Sequence, residues 1–457
     1  MTFSLLPITI IPVKKFQQND VHVQVSHSLI KYWEIDTSKP LILTVGRNQI
    51  VTRIRGEAIT KDEIFLAENI FSELFLPLKE AQWIASFSRK DNRLTLGPVI
   101  GVLTEIDQTE EEPHFRTIHT FCRELHDHMA DIGGFLYVFQ LSDFSDGKLN
   151  GYYLENNRWQ KSSVPLPNVI YNRIHSRKLE ASPFFQQFKT MLLTENIAIF
   201  NDRFLSKEIV HQILYSEEYM QPYLPETSLL TEHSLQVILE KYHSIFIKPI
   251  HGSQGRNIIK VSKENNQLSA KLSTGMGKDN IFSFEDFSQF HKWLKPFLKR
   301  RKYIVQQAIP LITYKERQLD FRILCHKNFQ DAWKATSAVA RISADQQFVS
   351  NIARGGDMMR PLHILSLLSD RSIALQQLEL MKELAVEIAS LICQTADGLV
   401  GELGIDIGVD EDGKLWIIEV NSKPSKNIEE GSKKIRPSAK ALLEYCTFLS
   451  FGARRNE

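Results

Sequence analysis

Residues 401–423, GELGIDIGVDEDGKLWIIEVNSK, read as one β-hairpin that gathers three oxygen donors on a single face. Asp412-Gly413 is a dipeptide suited to closing a two-residue turn, because Gly accepts φ > 0 without steric cost. Counting outward from it pairs Glu411 with Lys414, Val409 with Trp416, Ile407 with Ile418 and Asp406 with Glu419, with paired Cβ atoms about 5 Å apart. Asn421 lies two residues beyond Glu419 and so projects from the same face. The other face carries Ile405, Ile407, Val409, Trp416, Ile418 and Val420, an apolar surface to be buried. Two carboxylates and a carboxamide this close titrate abnormally unless a cation joins them. Hard oxygen donors suit Mg²⁺ (or Mn²⁺), which takes one or two carboxylates and leaves its other positions to water and nucleotide phosphates. A solvated acidic hairpin has a similar pattern, and Asp410, Glu411 and Asp412 at the tip are read that way. Glu419 and Asn421 are read as ligands with Asp406, since they interrupt the apolar run WIIEVN.

At 457 residues the chain exceeds one simple core, so two or three domains are expected. Basic and acidic side chains balance, 55 against 54, which gives no overall bias toward nucleic acid or membrane. The opening MTFSLLPITIIPVKKF contains Pro7 and Pro12 and reads as a strand, not a signal peptide. No run approaches the ~20 apolar residues of a bilayer span. Cys122, Cys325, Cys393 and Cys446 are far apart and fit neither a zinc nor a redox motif, so a cytoplasmic setting is expected.

Three regions follow from texture. Residues 1–97 hold short β-like runs such as ITIIPV, VHVQV and LILTV, read as a β-rich, barrel-like N-terminal domain. Segment 25–46 aligns with 66–87, pairing Leu29 with Ile70, Trp33 with Leu74 and Ile35 with Leu76; two helix-strand halves or chance apolar spacing both explain this. Residues 98–200 alternate buried strands (LGPVIGVLTEI, FLYVFQL, NVIYNRI) with a helix over 117–131, which predicts a small parallel α/β domain. Residues 201–457 form the third, including a helix over 372–395 with Ile373, Leu380, Leu384, Ile388 and Leu391 at helical spacing. The fold class is thus α/β and α+β multidomain.

Within the third region, SIFIKPIHGSQGRNIIKVS (244–262) is a strand, a loop with Gly252, Ser253 and Gly255, and a second strand. Backbone N–H groups of such a loop can approach phosphate oxygens closely. It opens a strand and not a helix, so it is neither a P-loop nor a dinucleotide fingerprint. Lys248 stands in the strand beside it, placed for a phosphate; an ordinary hairpin with an edge lysine has the same appearance. KYIVQQAIPL (302–311) is a buried strand interrupted by Gln306 and Gln307, suited to offering backbone groups to an adenine edge, or a core strand whose glutamines face solvent. QLDFRILCHK (318–327) alternates, with Asp320, Arg322 and Leu324 on one side and Phe321, Ile323 and Cys325 on the other. Arg341 follows in SAVARIS, and Asn351 and Arg354 in VSNIARGGDMM. Arginines beside a phosphate site can neutralise charge developing in phosphoryl transfer; singly, each also suits a structural ion pair.

In this order the elements resemble the ATP-grasp superfamily over about Asn201 to Lys423. The NIARGG and GIDI…IIEVN motifs carry the resemblance most specifically. The spore-coat-associated YheC/YheD family is the form most resembled, through LTLGPVIGVLT, NDRFLSK…YLPET and GELGIDIG, and the layout is also similar to ribosomal-protein glutamate ligases. The resemblance implies a pre-ATP-grasp domain at 98–200 and a two-lobed ATP-grasp domain at 201–457. It implies ATP phosphates on Lys207 and Lys248, adenine at Gln307, Ala308 and Ile309, and ribose near Asp320. Arg322, Arg341 and Asn351 would surround the γ-phosphate and acyl acceptor, with Mg²⁺ on Asp406, Glu419 and Asn421. The chain departs from the glutamate ligases at Gln307, where they have an acid, at Val349, where they have an arginine, and at Ser425, where they have a glycine. The implied activity is an ATP- and Mg²⁺-dependent carboxylate–amine or carboxylate–thiol ligase acting through an acylphosphate, with small-molecule or peptide substrates. The alternative is a non-catalytic, ATP-binding structural protein of the spore coat, with coat proteins as partners. A basic cluster, Lys295, Lys299, Arg300, Arg301 and Lys302, reads as a solvated helix end, and no nucleic-acid or membrane partner is expected.

Overall fold

The computed structural model describes residues 5–14, 16, 21–59, 62–110, 112–145, 147–252, 257–264, 267–273, 280–299, 301–344, 356–426 and 435–452. Its first sheet is a closed barrel ordered Leu6–Val13, Glu63–Ala67, Val21–Ser26, Asn48–Glu57, Leu41–Val45, Arg93–Gly97 and Ala81–Ser88. Closure removes the exposed strand edges that seven short strands would otherwise present. The two halves are related in backbone as well as in apolar spacing. Helices His27–Trp33 and Glu68–Glu73 occupy matching places. Each is followed by a left-handed residue, Glu34 or Phe75, both at φ 54. Each then closes with a matching bond, Ile35 N–H to Ile30 O and Leu76 N–H to Phe71 O (3.0 and 2.8 Å). All six residues paired by the sequence repeat are buried. Repeated backbone geometry of this kind excludes chance spacing.

The second sheet opens directly after the barrel. Val99–Leu103, Phe135–Phe139, Val169–Asn172 and Ala198–Phe200 run parallel, the first three buried along their whole length and the last, at the edge, only partly. A hairpin, Lys148–Glu155 with Arg158–Val164, adds antiparallel strands and makes the sheet mixed. The C-terminal helix Pro437–Gly452 packs here through Ala439, Leu442, Leu443, Tyr445 and Cys446, beside helix His119–Ile132. The end of the chain thus shares a core with the α/β sheet.

The remaining chain forms two sheets. One is antiparallel, ordered Thr227–Leu229, Tyr303–Gln307, Ser244–Pro249, Ile259–Glu264, Gln267–Leu272 and Asn280–Phe284. The other runs Asp357–Met359, Trp333–Ile342, Arg317–Lys327, Glu402–Val409 and Leu415–Asn421. Helix Arg371–Thr395 covers the second sheet through Ala374, Met381, Ala385, Ile388 and Ile392. Ile373 and Leu380, expected on that stripe, are instead half exposed at 46% and 45%. Among the described residues no helix is long and apolar enough to cross a membrane, and all four cysteines are free.

Candidate functional site between the two sheets

Hairpin geometry sets the site. The loop is one residue wider than the predicted turn: Asp410 N–H donates to Lys414 O, Gly413 N–H to Asp410 O, and Gly413 sits at φ 82. A three-residue loop with a left-handed glycine is the next commonest hairpin closure. Pairing therefore begins Val409–Leu415, Gly408–Trp416, Ile407–Ile417, one residue off the predicted register. A bulge at Ile418 then restores it, and Asp406 stands opposite Glu419 with Asn421 opposite Gly404. Leu415 and Ile417 consequently fill the core, at 2% and 4% exposure, in place of the predicted Trp416 and Ile418. Asp410 is not a solvated tip residue. It is buried, and its carboxylate accepts from the Asp412 and Lys414 N–H groups and from Trp416 Nε1 (3.1, 2.9 and 2.7 Å).

Neighbouring strands place charges of both signs on one face of the second sheet. Asp320 pairs in register with Arg341, and Arg322 with Asp406. Arg341 donates to both oxygens of Asp320 (2.6 and 2.8 Å) and to Asp406 (2.9 Å). Arg322 clasps Asp406 through Nε and through Nη2 at 2.8 Å. Burial favours the neutral acid at Asp406, yet Arg322 and Arg341 hold its carboxyl below the usual range. Glu419, at the strand beside it, accepts from Lys207 Nζ at 2.5 Å. Lys207 is fixed at the start of helix Lys207–Tyr215, capped by Ser206 Oγ accepting from Ile209 N–H (3.1 Å).

A cleft separates this face from the antiparallel sheet, lined by Lys207, Thr227, Lys248, Gln306, Ile418 and Glu419 among others. Lys248 Nζ donates to Gln306 Oε1 (2.5 Å), and Gln306 Nε2 to Thr227 Oγ1 (2.9 Å). Gln306 is therefore an interior residue of the cleft and does not face solvent. Burial, then the Lys207 charge, push the Lys248 ammonium down to about 8. An anion bound beside it restores the charged form, so affinity for nucleotide phosphates is expected to be full below pH 8 and to fall above it. Mg·ATP titrations at pH 7, 8 and 9 test this, and Lys248→Arg is expected to flatten the decline, since arginine stays protonated.

The predicted residues fall into four groups. Lys207, Lys248, Asp320, Arg322, Arg341, Asp406, Glu419 and Asn421 lie on the facing sheets or at the helix between them. Gln307 and Ala308 use their N–H groups on Glu226 O and Ser244 O (2.9 and 3.1 Å), and Ile309 follows them past the end of the strand. Gly252 lies three residues past the strand Ser244–Pro249, after a turn, where a Cβ would meet the Pro249 ring at 2.8 Å. Ser253, Gly255, Asn351 and Arg354 lie outside the described residues.

Two features escaped the sequence reading. Asn201, at φ 54, clamps both hairpin strands at their base: its Nδ2 donates to Glu402 O (2.7 Å) and Ser422 O, and its Oδ1 accepts from Gly401 and Glu402 N–H. Glu402 is wholly buried and accepts from Tyr171, Arg173, His326 and Lys426 (2.5, 3.2 and 2.8 Å for the first three). A second acid beside Asp406 in the apolar run GELGIDIG was the available signal. This network ties the α/β sheet to the hairpin.

The metal reading was tested against the donor set. Among the described residues no three His, Cys, Asp or Glu side chains converge. Mg²⁺ needs only one or two carboxylates when phosphates complete its shell, and Asp406 and Glu419 supply two. Asn421 Nδ2 is buried without a hydrogen-bond partner. An amide flip exchanges N and O at that position, which is what a third oxygen ligand requires. The residues fit the ion.

A cleft between two sheets, lined by Lys207 and Lys248 and by Glu419 of the hairpin, is the layout of an ATP-grasp type of protein. Residues 196–449 match the YheC/D-like ATP-grasp family, and the chain belongs to it. The endospore coat-associated protein YheD of Bacillus subtilis is 28% identical over 374 residues, covering 80% of each chain. YheC of the same organism is 25% identical over 310 residues, 65% of this chain and 81% of YheC. Among solved structures, the D-alanine-D-alanine ligase of Coxiella burnetii aligns at TM-score 0.45 and 12% identity, over 79% of this chain and 96% of the ligase.

Proposed function

We propose that the chain is an ATP-dependent ligase joining a carboxylate to an amine or thiol through an acylphosphate. The observation that carries this is the cleft lined by Lys207, Lys248 and Glu419, beside a sheet face on which Arg322 and Arg341 hold Asp406 opposite Glu419. A carboxylate oxygen attacks the γ-phosphorus, the bond to the β,γ-bridging oxygen breaks, and ADP leaves with that electron pair. The amine then attacks the acyl carbon, phosphate departs with its electron pair, and the surplus proton passes to solvent. Positioning and charge neutralisation supply most of the rate in such transfers. Lys248 and Lys207 bind phosphate oxygens, Ile309 N–H meets the adenine, and Asp320 lies toward the ribose. Asp406, Glu419 and Asn421 would hold Mg²⁺ or Mn²⁺, which neutralises phosphate charge when bound. Arg322 and Arg341 position Asp406, and Asn351 and Arg354 are assigned to the acyl acceptor side. We divide the chain at 97 and 200, into the barrel, the α/β unit and the ATP-grasp domain.

YheD and YheC are named as endospore coat-associated, so coat peptides are a substrate or partner class for this chain. A structural, ATP-locked module is the second reading, favoured by Asp406 already being neutralised by two arginines. Mg²⁺-dependent ADP release against amino acids, peptides and cell-wall precursors separates the two. Release that requires one panel member supports the ligase; tight ATP binding with no release from any member supports the module.

A further inference from the structure

The arginines around the cleft differ in what engages them. Arg322 and Arg341 are held by Asp406 and Asp320, and Arg173 is held by Glu402 and Pro424 O. Arg177 has no hydrogen bond or ion pair with any described residue. Its guanidinium is half-buried and lies 4.5 Å from the centroid of the Phe204 ring. The carboxylates near enough to act on it are Glu419 and Glu180. Glu419 is already engaged by Lys207, and Glu180 by Lys423 and by Asn172.

The segment that carries Arg177 is held firmly. Glu105 accepts from the His175 and Ser176 N–H groups (2.7 and 3.0 Å), and Ser176 Oγ accepts from Leu179 N–H (3.2 Å). Asn172 Oδ1 accepts from Ile174 N–H (3.1 Å). A half-desolvated cation without a counter-ion is unfavourable, and an arriving oxyanion relieves that cost. A planar guanidinium binds phosphate oxygens in bidentate fashion, and part-burial reduces screening by salt. Arg177 comes from the α/β unit and shares the Phe204 ring with Lys423, whose Nζ lies 4.5 Å from the ring centroid just past the strand bearing Glu419 and Asn421.

Resting on the ligase reading, we propose that Arg177 receives the phosphoryl oxygens of the activated substrate, first on the acylphosphate and then on the phosphate released by amine attack. It makes and breaks no covalent bond.

The test is calorimetric titration of inorganic phosphate into the full-length protein saturated with Mg·ADP, for wild type, Arg177→Gln, Arg177→Lys and, as a surface control, Arg203→Gln. Losing charge-assisted bonds should weaken phosphate binding by about tenfold or more in Arg177→Gln, with Arg177→Lys intermediate and Arg203→Gln unchanged. Mg·ADP affinity should stay within about twofold of wild type, which also verifies folding. Equal phosphate affinity in wild type and Arg177→Gln, or no phosphate binding to the wild-type Mg·ADP complex, would overturn the proposal alone. Failure of Mg·ADP to bind the wild type would overturn the nucleotide reading, and the proposal with it.

Discussion

Glu419→Gln is expected to lower ATP turnover by at least about 100-fold, the scale of removing one preorganised charge at a phosphoryl-transfer site, while the thermal transition shifts little. Glu419 is 31% exposed and its partner Lys207 18%, so the pair is partly solvated and contributes modestly to stability, on the order of 1 kcal/mol or less. The substitution keeps shape and removes only the charge. Asp406→Asn is a less informative variant. Asp406 neutralises Arg322 and Arg341, both largely buried. Uncompensated, those cations are expected to cost about 3–5 kcal/mol, mixing lost folding with lost chemistry. Turnover assays paired with thermal melts separate these cases: undiminished, still Mg²⁺-dependent turnover in Glu419→Gln would remove Glu419 from the metal site.

The largest stability effect is expected at Glu402→Gln. That carboxylate is inaccessible to solvent and is the common partner of Arg173, His326 and Lys426. Removing its charge leaves buried cations unpaired, a loss of about 3–5 kcal/mol, read as a lower denaturation midpoint. The pH dependence follows from the same cluster. Burial opposes ionisation of Glu402, but Lys426 and His326 depress its folded pKa well below the usual carboxylate range. Its stabilisation is therefore full above about pH 4.5 and lost as pH falls through the folded value. His326 is depressed chiefly by burial, and it adds a loss of the same sign beginning near pH 6.5. Chemical denaturation from pH 7 to 3 should be steeper for wild type than for Glu402→Gln. Parallel curves would mean that Glu402 does not carry the acid response.

Much of the site was legible because it is local. The facing of Asp406 and Glu419 was correct although two of its premises were not, since the wider loop and the bulge at Ile418 cancel. That cancellation leaves the carboxylates in place while exchanging Trp416 and Ile418 for Leu415 and Ile417 in the core. The helix-strand repeat of the barrel was legible for the same reason, as its matching residues recur at one offset with one local conformation.

Alternation and turn chemistry act over a few residues, so the sequence by itself determined the hairpin, the strands bearing Lys248, Asp320 and Arg322, and the family, while the backbone geometry decided the repeat in the barrel. Charge partnership is different, because a carboxylate is satisfied by whichever cation the fold brings near, however distant in the chain. Only the tertiary structure decided that Glu419 meets Lys207, that Glu402 gathers Arg173, His326 and Lys426, and that the C-terminal helix closes the α/β sheet. The same holds for Arg177, which packing, and not local pattern, set on the Phe204 ring with no hydrogen bond or ion pair among the described residues.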